Sequence, residues 1–160
     1  MNEYQKDRFS RKVVETLFNT ITGKRIAILG WAFKKDTGDT RESPSISIAN
    51  HFLQEKARIN IYDPQVVEEQ IWYDLTDDGT KDAAPVKQYT TIHKSALEAC
   101  KDAEAIVICT EWDEFKTLDW QKIYDNCPRP AFVFDGRIML NRAELQKIGF
   151  KVVTIGTGDL

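Results

Sequence analysis

Apolar residues along the chain are grouped in short runs, separated by polar segments and by segments of helical spacing. The runs are almost continuously apolar rather than alternating, which is typical of strands buried on both faces of a parallel sheet. We therefore predict strands over 25–30, 58–64, 103–110, 131–137 and 150–156, with a further short strand near 89–92.

Helix signals lie between these runs. Ser43 followed by Pro44 predicts the start of a helix over 44–56, because serine caps a helix and proline suits its first position. Asn141 and Glu144 form a capping-box pattern before the last helix, and Gly149 is a natural stop. Further helices are predicted over 3–20, over 94–101 and, as one or two short helices, over 112–127, and residues 74–86 are predicted to form an acidic loop or insertion.

The alternation of strands and helices predicts an α/β fold. Its form is a Rossmann-like, doubly wound, mostly parallel sheet with the strand order 3-2-1-4-5-6 and an additional N-terminal helix. A length of 160 residues fits one domain of this kind.

Charge and composition exclude several classes of partner. Residues 1–60 carry 11 Lys and Arg against 7 Asp and Glu, whereas residues 61–160 carry 11 against 18. Nucleic acid and membrane surfaces require a dominant basic face, so neither is an expected partner. No apolar run approaches the length of a membrane span, and the polar start lacks the apolar core of a signal peptide.

Cysteine and histidine usage argues against a metal site. The three cysteines have no CxxC spacing, and only two histidines are present. Reduced cysteines in the cytoplasm are therefore the expected state.

In doubly wound sheets, ligands bind at the carboxyl ends of the strands. The candidate positions are the loop 30–42, Asp63, the stretch 110–113 and the stretch 135–137. The first loop lacks the G-x-G-x-x-G pattern, because Gly30 is followed by large residues, and this disfavours NAD in the usual dinucleotide pose. Phosphates would instead be held by cationic side chains of the loop, which are Lys34, Lys35 and Arg41.

Each cation also has a structural interpretation. On spacing alone, the lysine pair is more typical of a solvated surface than of a phosphate site. Arg41 lies beside Asp39 and Glu42 and fits a local ion pair, and Arg137 fits a structural salt bridge as well as a ligand contact.

Four further candidates are better explained structurally. Asp63 lies where a ribose-binding acid would lie, but Asp-Pro turns are common. Trp112 fits a core aromatic better than a base-stacking one. Cys109, at the end of a buried strand with no neighbouring histidine, fits the core rather than a nucleophile, and His51 fits a structural role in an amphipathic helix.

The stretch ILGWAFKKDTGDTRESPS strongly resembles the C-terminal domain of the animal UDP-glucose 6-dehydrogenases. Further matches are NEYQKDRFSRKVVETLFN at the start, IYDP at 61–64, VICTEWDEFK at 107–116 and FDGR at 134–137. The resemblance covers essentially the whole chain in order.

The resemblance implies a part of an NAD-dependent oxidoreductase that converts UDP-glucose to UDP-glucuronate by two hydride transfers to two NAD+. Phe33, Lys34 and Arg137 match positions that contact the UDP-sugar. Arg41 matches a residue that reaches the NAD held mainly by another domain. No catalytic residue is carried over, because the nucleophilic cysteine, the lysine and the general base of the family lie upstream of this domain.

The resemblance also divides the chain into the end of a connecting helix, residues 1–22, and a UDP-sugar-binding domain, residues 23–160. In the family this helix leads to the part that forms oligomers, so its stripe of Phe9, Val13 and Leu17 predicts contacts with the rest of the enzyme and with further copies. UDP-glucose is the expected ligand. The alternative is a stand-alone nucleotide-sugar-binding or regulatory module without catalysis.

Overall fold

The structure is a computed structural model that describes residues 11–13, 15–16, 21–32, 38–40, 43–76, 79–80 and 82–154. Its strands are β1 (Arg25–Leu29), β2 (Arg58–Tyr62), β3 (Thr90–Ile92), β4 (Ala105–Ile108), β5 (Phe132–Asp135) and β6 (Lys151–Thr154). Its helices are α1 (Pro44–Gln54), α2 (Glu68–Leu75), α3 (Ala83–Tyr89), α4 (Ala96–Cys100), α5 (Trp120–Asp125) and α6 (Arg142–Ile148), with a 3-10 helix over Asp113–Lys116.

The strands form one parallel sheet in the order β3-β2-β1-β4-β5-β6, which confirms the predicted fold and strand order. In the central register, Ile26 of β1 pairs with Ile59 of β2 on one side and with Ala105 of β4 on the other. The order reverses direction between β1 and β4, so this is the point where a ligand crevice would open.

The core lies on both faces of the sheet. All four residues of β4 are buried, and so are the last four of β1, as the continuous apolar runs predict. Helix α4 packs on β1 and β2, and α1 packs on β2. No helix in the described ranges is both long and apolar enough to span a membrane.

The two predicted helix caps, Ser43 and Asn141, are confirmed. Ser43 Oγ accepts a hydrogen bond from Ser45 N at 3.2 Å, directly before Pro44. Asn141 Oδ1 accepts from Glu144 N at 3.1 Å and caps α6.

The acidic loop predicted over 74–86 is wrong at both ends. Asp74 belongs to α2 and is buried, and α3 begins at Ala83 behind the capping residue Asp82. Both helices are only two turns long and carry mixed polar residues, so neither shows a clear apolar period. The charge of Asp74 suggests a solvated position, whereas the carboxylate accepts hydrogen bonds from Gln70 and Trp31.

Part of the predicted N-terminal helix lies within the described residues. Residues 11–13 and 15–16 are helical, and Val13 is fully buried. Val13 therefore packs within this chain, whereas the stripe was predicted to contact the rest of the enzyme and further copies. Phe9 and Leu17 lie outside the described residues.

Candidate functional site

The carboxyl ends of the central strands meet at one edge of the sheet. The loops that follow β1, β2, β4 and β5 begin there at Gly30, Asp63, Cys109 and Gly136. This is the edge at which open α/β sheets bind ligands, and it is called the ligand edge below.

Gly30 allows β1 and β4 to approach each other closely. Its φ is +101°, and a Cβ built on it would lie 2.5 Å from both Cβ and Oγ1 of Thr110 and 2.6 Å from Thr110 N. The hydroxyl of Thr110 donates to Ala32 O at 2.8 Å, and Ser45 Oγ donates to Gly30 O at 2.9 Å. A glycine is therefore required here both by conformation and by space.

Asp63 binds the loop that follows β1. Its Oδ2 accepts hydrogen bonds from the backbone N–H groups of Trp31, at 2.6 Å, and Ala32, at 2.9 Å. The indole Nε1 of Trp112 donates to the same oxygen at 3.0 Å. The charge of this buried side chain is thus compensated by donors of two neighbouring loops.

The other oxygen of Asp63 forms the predicted turn. Oδ1 accepts from Gln65 N at 2.8 Å and from Val66 N at 3.1 Å, which confirms the interpretation of Asp63 as a turn residue. Trp112 is buried, which confirms its assignment to the core. The sequence did not reveal that the same carboxylate also reaches the loop after β1.

These contacts bear directly on dinucleotide binding. In a glycine-rich dinucleotide loop, the amides after β1 face the pyrophosphate. Here the amides of Trp31 and Ala32 donate to Asp63, and the Trp31 indole is buried with its Nε1 donating to Asp74 Oδ2 at 2.9 Å. The described residues of this edge therefore do not fit NAD in the usual pose.

Arg137 lies at the end of β5 and leans across β4. Its Nε donates to Cys109 O at 2.9 Å and lies 3.4 Å from Glu111 Oε2. The side chain remains 28% exposed. The predicted salt-bridge interpretation therefore holds, and the guanidinium lies at the ligand edge at the same time.

Asp135 organises the loop that carries Arg137. Its Oδ1 accepts from Arg137 N at 3.1 Å, and its Oδ2 accepts from Met139 N and Leu140 N, both at 2.9 Å. A cavity of about 350 Å³ opens beside this loop, with Met139 and Leu140 in its wall. That volume is within the range of small-ligand sites.

The cysteines do not form a reactive site. All three are buried and outside any disulfide. Burial raises the pKa of the Cys109 thiol to about 11, against smaller lowering effects of Ser45 and Arg137. Burial likewise raises the pKa of Cys127 to about 11 and raises that of Cys100. The prediction that Cys109 is a core residue is confirmed, and no group of three metal-ligating side chains is found where the structure describes the chain.

Three predicted site residues, Phe33, Lys34 and Arg41, lie outside the described residues. The chain is described on both sides of them. Ala32 is buried and hydrogen-bonded to Asp63, and Ser43 N donates to Thr40 O at 3.1 Å.

Comparison with known proteins decides the family. The model of the UDP-glucose/GDP-mannose dehydrogenase family, UDP binding domain, matches residues 27–142. The chain belongs to this family. The matched range begins within β1, includes β2 to β5, and so contains the whole edge from Gly30 to Arg137.

Relatives of this UDP-binding domain are found in animals and in plants. A UDP-glucose 6-dehydrogenase of Pongo abelii is 52% identical over 158 residues, which are 98% of this chain and 32% of the relative. UDP-glucose 6-dehydrogenase 2 of Arabidopsis thaliana is 52% identical over 165 residues, covering 98% of this chain and 34% of the relative. The chain thus spans about a third of the length of the curated relatives it matches.

A solved structure agrees with the fold. The UDP-glucose dehydrogenase from the archaeon Pyrobaculum islandicum superposes with a TM-score of 0.70 at 25% identity, covering 96% of this chain and 29% of that chain.

Proposed function

We propose that the chain is the UDP-sugar-binding part of an NAD-dependent UDP-glucose 6-dehydrogenase. The reaction is the oxidation of UDP-glucose to UDP-glucuronate, with two hydride transfers to two NAD+. The observation that carries the proposal is Arg137, held by Asp135 and Cys109 at the ligand edge of a UDP-binding domain. In this proposal residues 1–22 are the last part of a connecting helix, and residues 23–160 form the binding domain.

Three side chains bind the substrate in this proposal. The guanidinium of Arg137 pairs with anionic or hydroxyl oxygens of the UDP-sugar, which suits its planar set of donors. Lys34 supplies a second cation and Phe33 packs beside the ligand, as the resemblance implies. The link between Ala32 and Asp63 supports this assignment, because it fixes the backbone directly before Phe33.

The oxidation itself takes place on groups outside this chain. NAD is held mainly by another domain, with Arg41 as the contribution of this one. The engagement of the Trp31 and Ala32 amides by Asp63 supports this division of roles. The partners are UDP-glucose, the remaining part of the enzyme and further copies of it, which are contacted through the N-terminal helix. The three cysteines are free thiols, which supports a cytoplasmic setting.

Thiol alkylation tests the absence of a nucleophilic cysteine from the chain. A thiol with a pKa near 11 is only about 0.1% ionised at pH 8, and burial restricts access further. We expect iodoacetamide to modify the native chain at least about 100-fold more slowly than the urea-unfolded chain. Rapid modification of one cysteine in the folded chain would contradict the proposal.

Calorimetric titration with UDP-glucose tests the binding role. We expect Arg137→Ala to weaken binding by about 1.5–3 kcal/mol, the range for a hydrogen bond to a charged group. Arg58→Ala is the matched control, since Arg58 is exposed at the start of β2, on the opposite edge of the sheet, and should leave binding unchanged.

Two outcomes would contradict the assignment. A folded wild-type chain that does not bind UDP-glucose would overturn the proposal that this chain is itself a binding part. Equal affinities of wild type and Arg137→Ala would remove Arg137 from the site.

A further inference from the structure

The loop after β5 is wound around a single buried carboxylate. Asp135 is only 1% exposed, and three backbone N–H groups of the next five residues donate to it. Gly136 N donates to Ile108 O at 3.2 Å and continues the ladder with β4. The chain therefore turns back within a few residues of the strand end.

The turn contains a residue in an unfavourable conformation. Ile138 has a φ of +52°, in the left-handed region that β-branched residues avoid. Its side chain is 57% exposed, so packing does not hold it there. The hydrogen bonds of Asp135 to Arg137 N on one side and to Met139 N and Leu140 N on the other span this residue and hold its conformation.

The same turn sets the direction of Arg137. With its backbone N–H fixed on Asp135, the side chain crosses to β4, where Nε donates to Cys109 O. Cys109 N in turn donates to Leu29 O at 2.9 Å, which ties this anchor to the central strand β1. The guanidinium is therefore oriented before any ligand arrives.

We propose that Asp135 is a positioning residue for Arg137, holding the left-handed Ile138 turn that aims the guanidinium at the ligand edge. The functional part of this inference rests on the proposed function, in which Arg137 contacts the UDP-sugar. The structural part does not depend on a ligand, so the two parts are tested separately.

The ligand-independent test follows the Nε–H signal of Arg137 in a ¹H–¹⁵N spectrum of the full 160-residue chain. The signal is assigned by its loss in Arg137→Lys. We expect it to be protected from solvent exchange in the wild type and to lose that protection in Asp135→Asn. Asp125→Asn is the matched control, because Asp125 is exposed at the end of α5 and accepts a surface hydrogen bond from Gln121.

The functional test is a double-mutant cycle on the affinity for UDP-glucose. We expect Asp135→Asn to weaken binding about 10-fold in the wild-type background and less than 2-fold in the Arg137→Ala background. A merely structural role would lower the melting temperature and weaken binding by the same factor in both backgrounds, so that no coupling between the two residues would be measured. Asn at position 138 tolerates positive φ, so Asp135→Asn combined with Ile138→Asn should recover part of the lost affinity. It also provides a folded sample should Asp135→Asn alone unfold.

Several results would overturn the inference. Losses that multiply across the two backgrounds would mean that Asp135 acts independently of Arg137. Unchanged Nε–H protection in a folded Asp135→Asn chain would mean that the carboxylate does not position the guanidinium. Absence of UDP-glucose binding by the wild-type chain would contradict the proposed function, while the spectroscopic test still decides whether Asp135 positions Arg137.

Discussion

Replacing Asp63 by alanine should lower the free energy of unfolding by about 3–5 kcal/mol. The substitution removes the acceptor for five N–H groups at once, three of which belong to the loops after β1 and β4. An unsatisfied buried donor costs about 1–3 kcal/mol, and relaxation with entry of water keeps the total below the sum.

Urea unfolding followed by circular dichroism measures this loss. For a chain of this size, each 1 kcal/mol corresponds to about 2–4 °C in melting temperature, so thermal unfolding should show a decrease of about 6–20 °C. Asp125→Ala is the control, since that exposed carboxylate accepts a surface hydrogen bond from Gln121 and its removal should change stability by less than about 0.5 kcal/mol.

An isosteric variant separates charge from shape. Asp63→Asn keeps one oxygen acceptor but turns an NH2 group toward the remaining donors, so we expect an intermediate loss. A loss below about 1 kcal/mol in Asp63→Ala would show that the amides of Trp31 and Ala32 find other partners. The proposed separation of this edge from dinucleotide binding would then lose its main support.

The sheet could be predicted from the sequence because its strands are short, apolar and bounded by clear turn residues. The run from Arg25 to Leu29 is buried in four of five positions, so its pattern reports directly on its environment. Ser43 and Asn141 cap helices through hydrogen bonds to residues two or three positions away, so neighbouring residues are enough to predict these caps.

Helix α2 was missed because one of its buried side chains is held by a contact that is distant in sequence. Asp74 is buried with Trp31, 43 residues away, and no local pattern encodes that pairing. A helix of two turns also offers too few positions for an apolar period to stand out.

The hydrogen bonds of the candidate site were only partly predicted. The charged residues that follow β2 and end β5 were expected at one edge of the sheet, and the structure places them there. The turn role was predicted for Asp63 but missed for Asp135, although each ends a buried run directly before a Pro or a Gly. An acid at such a position satisfies the amides of the turn that follows, and both carboxylates do so here.

Replacing Gly30 by alanine should destabilise the chain by about 4 kcal/mol or more. Two effects add at this position. The φ of +101° is strained for any residue with a Cβ, and the new Cβ would overlap the backbone and side chain of Thr110. Thr110 is fully buried two residues beyond β4, so the ends of β1 and β4 would have to separate within the packed core.

Gly23→Ala separates the two effects. Gly23 has a φ of +77°, but a Cβ there meets nothing within 4 Å, so conformational strain alone should cost about 1–2 kcal/mol. Urea unfolding of both variants therefore measures the overlap at Gly30 as the difference between them, which we expect to exceed about 2 kcal/mol. Equal decreases in the free energy of unfolding for the two variants would show that the ends of β1 and β4 can separate without an energetic cost.

The Gly30 variant also connects stability with the ligand edge. Cys109 N donates to Leu29 O, and Cys109 O accepts from Arg137 Nε, so separation of β1 from β4 displaces the anchor of the guanidinium. If Gly30→Ala folds, its affinity for UDP-glucose should fall together with the protection of the Arg137 Nε–H group, whereas Gly23→Ala should retain both. A folded Gly30→Ala chain with unchanged affinity would mean that the edge tolerates displacement of its central strands, and that the position of Arg137 is set by the β5 loop alone.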